Sequence, residues 1–387
     1  SSAASDVYKR QFLNCIGGYT KSKFTYSFAA AETVVPYILG SYRAFLDTCT
    51  SWKSIKENTE LLVCFGGIPL KNGQISQGGT GNHFQKKELL EASNSKTFFM
   101  NISPLKSDLI GEVNGEWIAP RPNTDTALML GLAHTLYEFD LVDFDFISKY
   151  TVGFEDFLSY LLGEKDGIPK SAKWASDICE IETEIIKNLA KEMSSKRTMI
   201  SVSWSLTRQD HGEQPFWMAI ALSCMLGQIG LPGGGFGFGY SATNFIGGNF
   251  VIPPAAAFPQ GINQVKDFIP VARISDLLLH PGKNFKFDGK NYLYPDTKIV
   301  YWAGGNPFHH HQDLSLLMKA WQKPETVICN EWCWNSLAKR SDIVLPCTTP
   351  FEREDLAITP RDPYLSLIHI SEPTRQEAIS YAVFCLK

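Results

Sequence analysis

TMISVSWSLTRQDHGEQPFWMAIALSCMLGQIGLPGGGFGFGY (Thr198–Tyr240) holds, in order, a strand-length run, a polar loop, a helix-length apolar run and a glycine-rich tail. Thr198–Trp204 is mostly apolar on both faces, which suits a strand buried in a parallel sheet. The loop after it carries Arg208, His211 and Glu213, and then the charge stops: Gln214–Val265 contains no Asp, Glu, Lys or Arg. Pro215–Leu231 is nearly long enough to span a membrane. Ser223, Gly227 and Gln228 interrupt it, however, and a Gly/Pro-rich loop follows in place of basic flanks. A helix over Glu213–Gly230, buried inside a large protein, is the better reading. Leu231–Asn249 carries seven glycines but is too apolar for a flexible linker. Such glycines let a backbone press close to a large rigid ligand or to another chain segment.

The same alternation recurs outward from this stretch. Glu60–Phe65, Thr97–Ile102, Lys298–Trp302 and Glu325–Cys329 are further strand-length apolar runs. Helical patterns lie at Thr124–Phe139, Glu182–Met193 and Gln312–Trp321, with Pro122 and Thr124 marking the start of the first and Thr124 as its N-cap. Strands separated by helices argue for an α/β protein of open, mostly parallel, doubly wound sheets with right-handed crossovers.

Composition narrows the function classes. The chain has 387 residues, 44% hydrophobic and 20% charged, enough for two domains and a sizeable core, and it is neither a disordered tail nor a fibrous repeat. A net charge of −4 is that of an ordinary soluble enzyme and argues against a general nucleic-acid binder. Nine cysteines, an odd number at irregular intervals, do not form a disulfide framework and favour a reducing compartment. Residues 1–11 and 365–387 lack patterning continuous with their neighbours and resemble translated sequencing-adaptor read-through. The native chain is therefore expected to be an internal fragment over 12–364.

Several chemistries lack their motifs. GxxxxGK[ST], HExxH, GxSxG and CxxC do not occur, and Cys329 and Cys333 have no second pair to complete a zinc site. The GFGFG run follows a helix and not a strand, which fails the context for a dinucleotide fingerprint and counts against an NAD-dependent dehydrogenase. His309-His310-His311, on an extended segment, would point to alternate faces and could not all ligate one ion. Hydrogen bonding of His310 to a polar cofactor or to buried backbone is the expected use.

Four segments carry a resemblance: Trp117–Leu136 (WIAPRPNTDTALMLGLAHTL), Val202–Tyr240, Tyr301–Asp313 (YWAGGNPFHHHQD) and Ser341–Asp355 (SDIVLPCTTPFERED). Together they resemble the molybdenum bis(molybdopterin guanine dinucleotide) oxidoreductases, in the branch of biotin sulfoxide, trimethylamine N-oxide and dimethyl sulfoxide reductases. The likeness extends over Phe12–Arg361. It implies a four-domain parent in which two α/β domains sandwich an extended cofactor. Residues 12–35 would close a molybdenum-proximal segment, 36–250 would be a Rossmann-like dinucleotide-binding domain, and 251–364 would be part of a second α/β domain.

The resemblance also implies roles. Phe24-Thr25-Tyr26-Ser27-Phe28-Ala29-Ala30-Ala31 matches the Gly-Asp-Tyr-Ser-Thr-Gly-Ala-Ala type segment that supplies the family's serine ligand, which makes Ser27 the expected molybdenum ligand. A deprotonated hydroxyl is a hard anionic oxygen suited to an oxidised metal among sulfurs. Phe24-Thr25 and Phe28-Ala29 depart from the pattern around it. Asp125, in PRPNTD after Pro122, matches the aspartate that reads guanine, whose N1–H and exocyclic amine a carboxylate can accept together. Its plain alternative is an acidic first-turn residue favoured by the helix dipole. Cofactor contacts are further implied for Gly67, Pro69, Lys71 and Asn72 after one strand, and for Ser103, Pro104 and Lys106 after the next. Many relatives carry Asp where this chain has Ser103. Trp204, Ser205, Arg208, His211, Gly212, Glu213 and Gln214 would meet phosphate at a helix start, and Gly305, Asn306, Pro307 and His310 would form a pterin-side loop.

The implied reaction is two-electron oxygen-atom transfer from an S-oxide or N-oxide, fed by an external electron donor. Neither an iron–sulfur cluster nor a membrane span is expected in this chain, and alone the fragment is expected not to retain molybdenum. A formate- or nitrate-type relative, which ligates the metal through Cys, selenocysteine or Asp, and a noncatalytic structural relative are the alternatives.

Overall fold

The computed structural model describes residues 2–73, 83–240, 242, 246–248, 259–349, 352, 355–358 and 365–368. Segment 369–387 of the C-terminal stretch and residues 241, 243–245 and 249 of the glycine-rich tail lie outside the described residues. The chain divides into two compact units, one of Ser27–Val251 with Arg361–Pro363, the other split between Ser1–Tyr26, Ile252–Pro360 and Tyr364–Lys387. A single helix, Ser2–Cys15, runs through position 11.

The 27–251 unit is built on five parallel strands: β1 (Leu61–Phe65), β2 (Phe98–Ile102), β3 (Gly115–Ile118), β4 (Thr198–Val202) and β5 (Gly235–Phe238), in the order β3-β2-β1-β4-β5. Leu61 of β1 lies opposite both Phe98 of β2 and Thr198 of β4. Every residue of β1 and of β4 is buried, as strands covered by helices on both faces require. The edge strand β3 is largely exposed, and its GEWI sequence carries no strand signal of its own. The glycine-rich tail forms the other edge, with Met199 opposite Gly235, so GFGF is a strand and not a loop.

The longer helices of this unit include the three expected ones, at Asp125–Glu138, Thr183–Ser195 (two residues past the expected end) and Gln214–Met225, and three that the sequence reading did not single out. They are α1 (Ala29–Leu39), α2 (Gln85–Ser95), α3 (Asp125–Glu138), α4 (Ala172–Cys179), α5 (Thr183–Ser195) and α6 (Gln214–Met225). The charge-free α6 buries Phe216, Met218, Ala219, Ile220 and Leu222 and packs on α3, as a helix apolar all round should. It stops at Met225 and not at Gly230, because Gln228 is drawn to the sheet: its side chain accepts from Thr198 N at 2.8 Å and donates to Lys196 O at 2.8 Å. Among the described residues, no helix is long and apolar enough to cross a membrane.

The split unit holds a parallel sheet of β7 (Ile299–Ala303), β8 (Thr326–Glu331) and β9 (Ile343–Pro346) in chain order, with β6 (Phe268–Pro270) paired in parallel to Lys21–Lys23. A hairpin, Asn284–Phe287 with Lys290–Leu293, packs its aromatic rings on Phe268. The unit's core joins Phe268, Leu277, Val300, Leu317, Trp321 and Val327.

One junction depends on a missing side chain. Gly66, directly after β1, has φ +78°, and a Cβ there would lie 2.7 Å from Ser203 Cβ and 2.5 Å from Leu206 Cδ1. The chain after β1 thus presses on the chain after β4. Gly66→Ala is expected to lower stability by about 2–3 kcal/mol, from left-handed strain plus overpacking; a urea midpoint equal to wild type would contradict this close approach.

Candidate cofactor site

Parallel pairing puts the carboxyl ends of β1 to β4 on one edge of the 27–251 sheet. The strand order reverses between β1 and β4, since the chain builds β2 and β3 on one side before crossing to β4 on the other. Open α/β sheets bind ligands at such a reversal. Four groups of expected site residues sit in the loops at this edge, one after each of β1 to β4.

After β1, Gly67 and Pro69 are buried, while Lys71 and Asn72 are exposed. After β2, Ser103 is buried, with Pro104 and Lys106 exposed beside it. Ser103 Oγ donates to Asp108 Oδ2 at 2.7 Å, and Lys71 Nζ lies 3.2 Å from Asp108 Oδ1. The carboxylate at this corner is therefore supplied by Asp108, five residues along, which sequence reading missed. The backbone of Asp108 is also held, by Ile68 N at 2.8 Å.

After β4, Trp204 is buried with its ring 4.4 Å from that of Phe28, and its indole N–H has no acceptor among the described residues. Gly239 (φ +81°), just past β5, makes room for it: a Cβ there would stand 2.7 Å from the indole. The glycine-rich tail thus presses on an aromatic side chain of its own unit. Ser205, Arg208 and His211 are exposed, Gly212 is buried, and Glu213 takes the N-cap position before Gln214 opens α6. Ser27, itself exposed, belongs to the same corner: its carbonyl oxygen accepts from Thr207 Oγ1 at 3.0 Å and from Arg208 Nε at 3.3 Å. Thr207 was not expected. Arg208 forms no ion pair among the described residues, which leaves its guanidinium edge suited to an anion.

After β3, the chain runs through exposed Pro122 into Asp125, the first residue of α3. Thr124 occupies the N-cap position, but its hydroxyl donates to Arg121 O at 2.6 Å instead of capping the helix. Asp125 is only 7% exposed and has no cation beside it among the described residues; the nearby Arg121 reaches toward Glu180 instead, at 4.0 Å. Burial raises its pKa from 3.8 to about 6.

In the split unit, Gly305 is exposed, and Asn306 and Pro307 are buried. Asn306 Oδ1 accepts from Phe308 N at 3.0 Å and its amide donates to Ser336 Oγ at 2.9 Å. The histidine run is not extended, as expected, but turns through a short helix, Pro307–His310, because Asn306 caps it and Pro307 fits its first position. His310 is exposed, and His311 is the ring bonded inside the unit, to Tyr26 and Ser275. Among the described residues no group of three His, Cys, Asp or Glu could hold a metal ion, and the cysteines form no disulfide with one another.

With this geometry in view, comparison with known proteins gives the class. A model of the molybdopterin oxidoreductase family matches residues 3–361, and the chain belongs to that family. It is 45% identical to a biotin sulfoxide reductase of Cereibacter sphaeroides over 94% of this chain and 48% of that protein. Against a trimethylamine-N-oxide reductase of Haemophilus influenzae the identity is 44%, over 92% of this chain and 44% of the relative. A dimethyl sulfoxide/trimethylamine N-oxide reductase of Rhodobacter capsulatus is 40% identical, over 97% and 47%. The chain thus spans about half the length of the curated relatives it matches. Its fold is shared with acetylene hydratase from Pelobacter acetylenicus, at a TM-score of 0.52 and 14% identity, over 99% of this chain and 57% of the other.

Family membership implies a molybdenum–pterin cofactor. The residues fit such a group on chemical grounds: a buried carboxylate lacking a countercharge needs hydrogen-bond donors, and the Arg208 guanidinium suits the cofactor's anionic part.

The unpaired carboxylate has a measurable consequence in the cofactor-free chain. Its folded pKa lies above the unfolded value, so the folded state binds more protons between pH 4 and 6 and loses stability as pH rises through that window. The loss amounts to about 2–3 kcal/mol, complete above pH 6 and absent below 3.8. Asp125→Asn removes the titration, so urea unfolding should show the variant gaining that amount on wild type between pH 4 and pH 7.5. A difference constant with pH would refute the burial of an unpaired charge.

Proposed function

We propose that this chain is the cofactor-gripping part of a molybdenum S-oxide or N-oxide reductase, and that the group it holds is the bis(molybdopterin guanine dinucleotide) form. Ser27 would ligate the metal, and Asp125 would take the N1–H and exocyclic amine of guanine. Arg208, with the backbone N–H groups at the start of α6, would face phosphate. Gly67, Pro69, Lys71 and Asn72, with Ser103, Pro104 and Lys106, would line the dinucleotide on this unit. Gly305, Asn306 and Pro307 would do so on the split unit. The single observation that favours guanine is Asp125, a carboxylate buried at the ligand edge with no cation to balance it.

When bound, the molybdenum–pterin group supplies the two-electron couple by which an S-oxide or N-oxide, with two protons and two electrons from a donor, becomes the sulfide or amine and water. The protein's share is to bind and orient. Thr207 and Arg208 hold the Ser27 carbonyl and so limit where its hydroxyl points. Phe28, the next residue, packs its ring against that of buried Trp204 and so anchors the backbone on the carboxyl side of Ser27. Accepting two donors from guanine would add to the backbone hydrogen bond that the Asp125 carboxylate has and bring its pKa back toward the ordinary range. The S-oxide and N-oxide substrates named for the relatives support the substrate class.

The test uses the uninterrupted reading frame produced in a host that makes the cofactor. Ser27→Ala should keep its guanine nucleotide, measured as GMP released by acid, while reduction of biotin sulfoxide, dimethyl sulfoxide and trimethylamine N-oxide by reduced viologen falls about 100-fold or more. Turnover equal to wild type would exclude Ser27 as the ligand. Release of CMP or of no nucleotide would exclude the guanine form.

A further inference from the structure

Tyr26 and Ser27 are consecutive, and the division between the two units falls between them. Within the split unit, the Tyr26 hydroxyl lies 2.9 Å from the carbonyl oxygen of Val271 and 2.9 Å from Nδ1 of His311. The other ring nitrogen of His311, Nε2, lies 3.0 Å from Ser275 Oγ. Counting protons assigns each bond. A phenol has one proton and a carbonyl can only accept, so Tyr26 donates to Val271 and His311 donates from Nδ1 to the phenol oxygen. Burial holds the His311 pKa below its ordinary value, against the raising influence of Asp276 and Asp313, so the ring is neutral and Nε2 accepts from the Ser275 hydroxyl.

The result is a directed chain, Ser275 to His311 to Tyr26 to Val271, that joins segments 245 and 285 residues apart in sequence to the residue before Ser27. His311 is the histidine of the run that the cofactor reading left without a task. We propose that Tyr26, His311 and Ser275 are positioning residues for Ser27: they fix the backbone on its amino-terminal side, as Thr207 and Arg208 fix its carbonyl within the 27–251 unit. The proposal rests on the reading of Ser27 as metal ligand. A ligand held before the metal arrives loses less freedom on binding, and a hydroxyl one residue from a three-bond anchor has little backbone slack.

Amide hydrogen exchange, followed by mass spectrometry on the peptide 24–30 of the chain, tests this with graded variants. His311→Asn keeps an N–H donor near the place of Nδ1, whereas His311→Gln keeps only a polar group near the place of Nε2. Exchange in 24–30 should quicken about tenfold in His311→Gln and in Tyr26→Phe, and stay within about threefold of wild type in His311→Asn, with β1 to β4 unchanged. Equal rates in the Asn and Gln variants, or no change in any, would overturn the proposal. Two-bond ¹H–¹⁵N correlation of wild-type His311 gives an answer even if a variant fails to fold: the Nδ1–H tautomer is expected, and an Nε2–H or doubly protonated ring would overturn the assignment. Neither measurement needs the cofactor. Failure of the Ser27 reading, seen as full turnover in Ser27→Ala, is therefore distinguishable from failure of the anchor.

Discussion

Parallel hydrogen bonding across the central sheet is the constraint on which the rest depends. Strands that all run one way end on one edge, and the crossover helices that parallel pairing demands bury both faces. Both faces of β1 and β4 are then mostly apolar, with only small or hydrogen-bonded polar residues such as Thr198 and Ser201 inside, and the charged side chains collect in the loops beyond the strand ends. The loops after β1 and β4 meet because Gly66 lets one backbone lie against the other. In the same loop after β4, Thr207 and Arg208 donate to the carbonyl of Ser27.

Charge at this edge is handled in two ways. Asp108 is satisfied from within, by the Ser103 hydroxyl and the Lys71 ammonium. Asp125 has a backbone hydrogen bond but no cation beside it among the described residues, and burial pushes its pKa to about 6. A structural carboxylate would normally be paired or left in water, since uncompensated burial costs several kcal/mol. An acid buried without a countercharge at the carboxyl edge of a parallel sheet supports the proposal that its partner is a ligand.

Much of this was legible in the sequence. The runs at 61–65, 98–102 and 198–202 announced themselves because strands buried on both faces need no alternation, and the charge-free α6 stood out for the same reason. GEWI did not, being an exposed edge strand positioned by its neighbour and not by its own composition. The glycine tail was legible as a close approach but not as a strand, since GFGF reaches sheet geometry only by pairing with β4. In the histidine run, adjacent identical residues differ only in which way the helical turn points them, so His310 was favoured in sequence while His311 is the one bonded inside. Asp108 and Thr207 were hidden because their partners, Lys71 and Ser27, are remote in the chain.

The central claim is that the buried carboxylate reads guanine. Titration calorimetry of the chain with GMP and with IMP isolates it, because the two nucleotides differ only by the exocyclic amine that Asp125 would accept. The account predicts that GMP binds about tenfold or more tightly than IMP and that Asp125→Asn abolishes the preference. Equal affinity of the unaltered chain for the two nucleotides would contradict it.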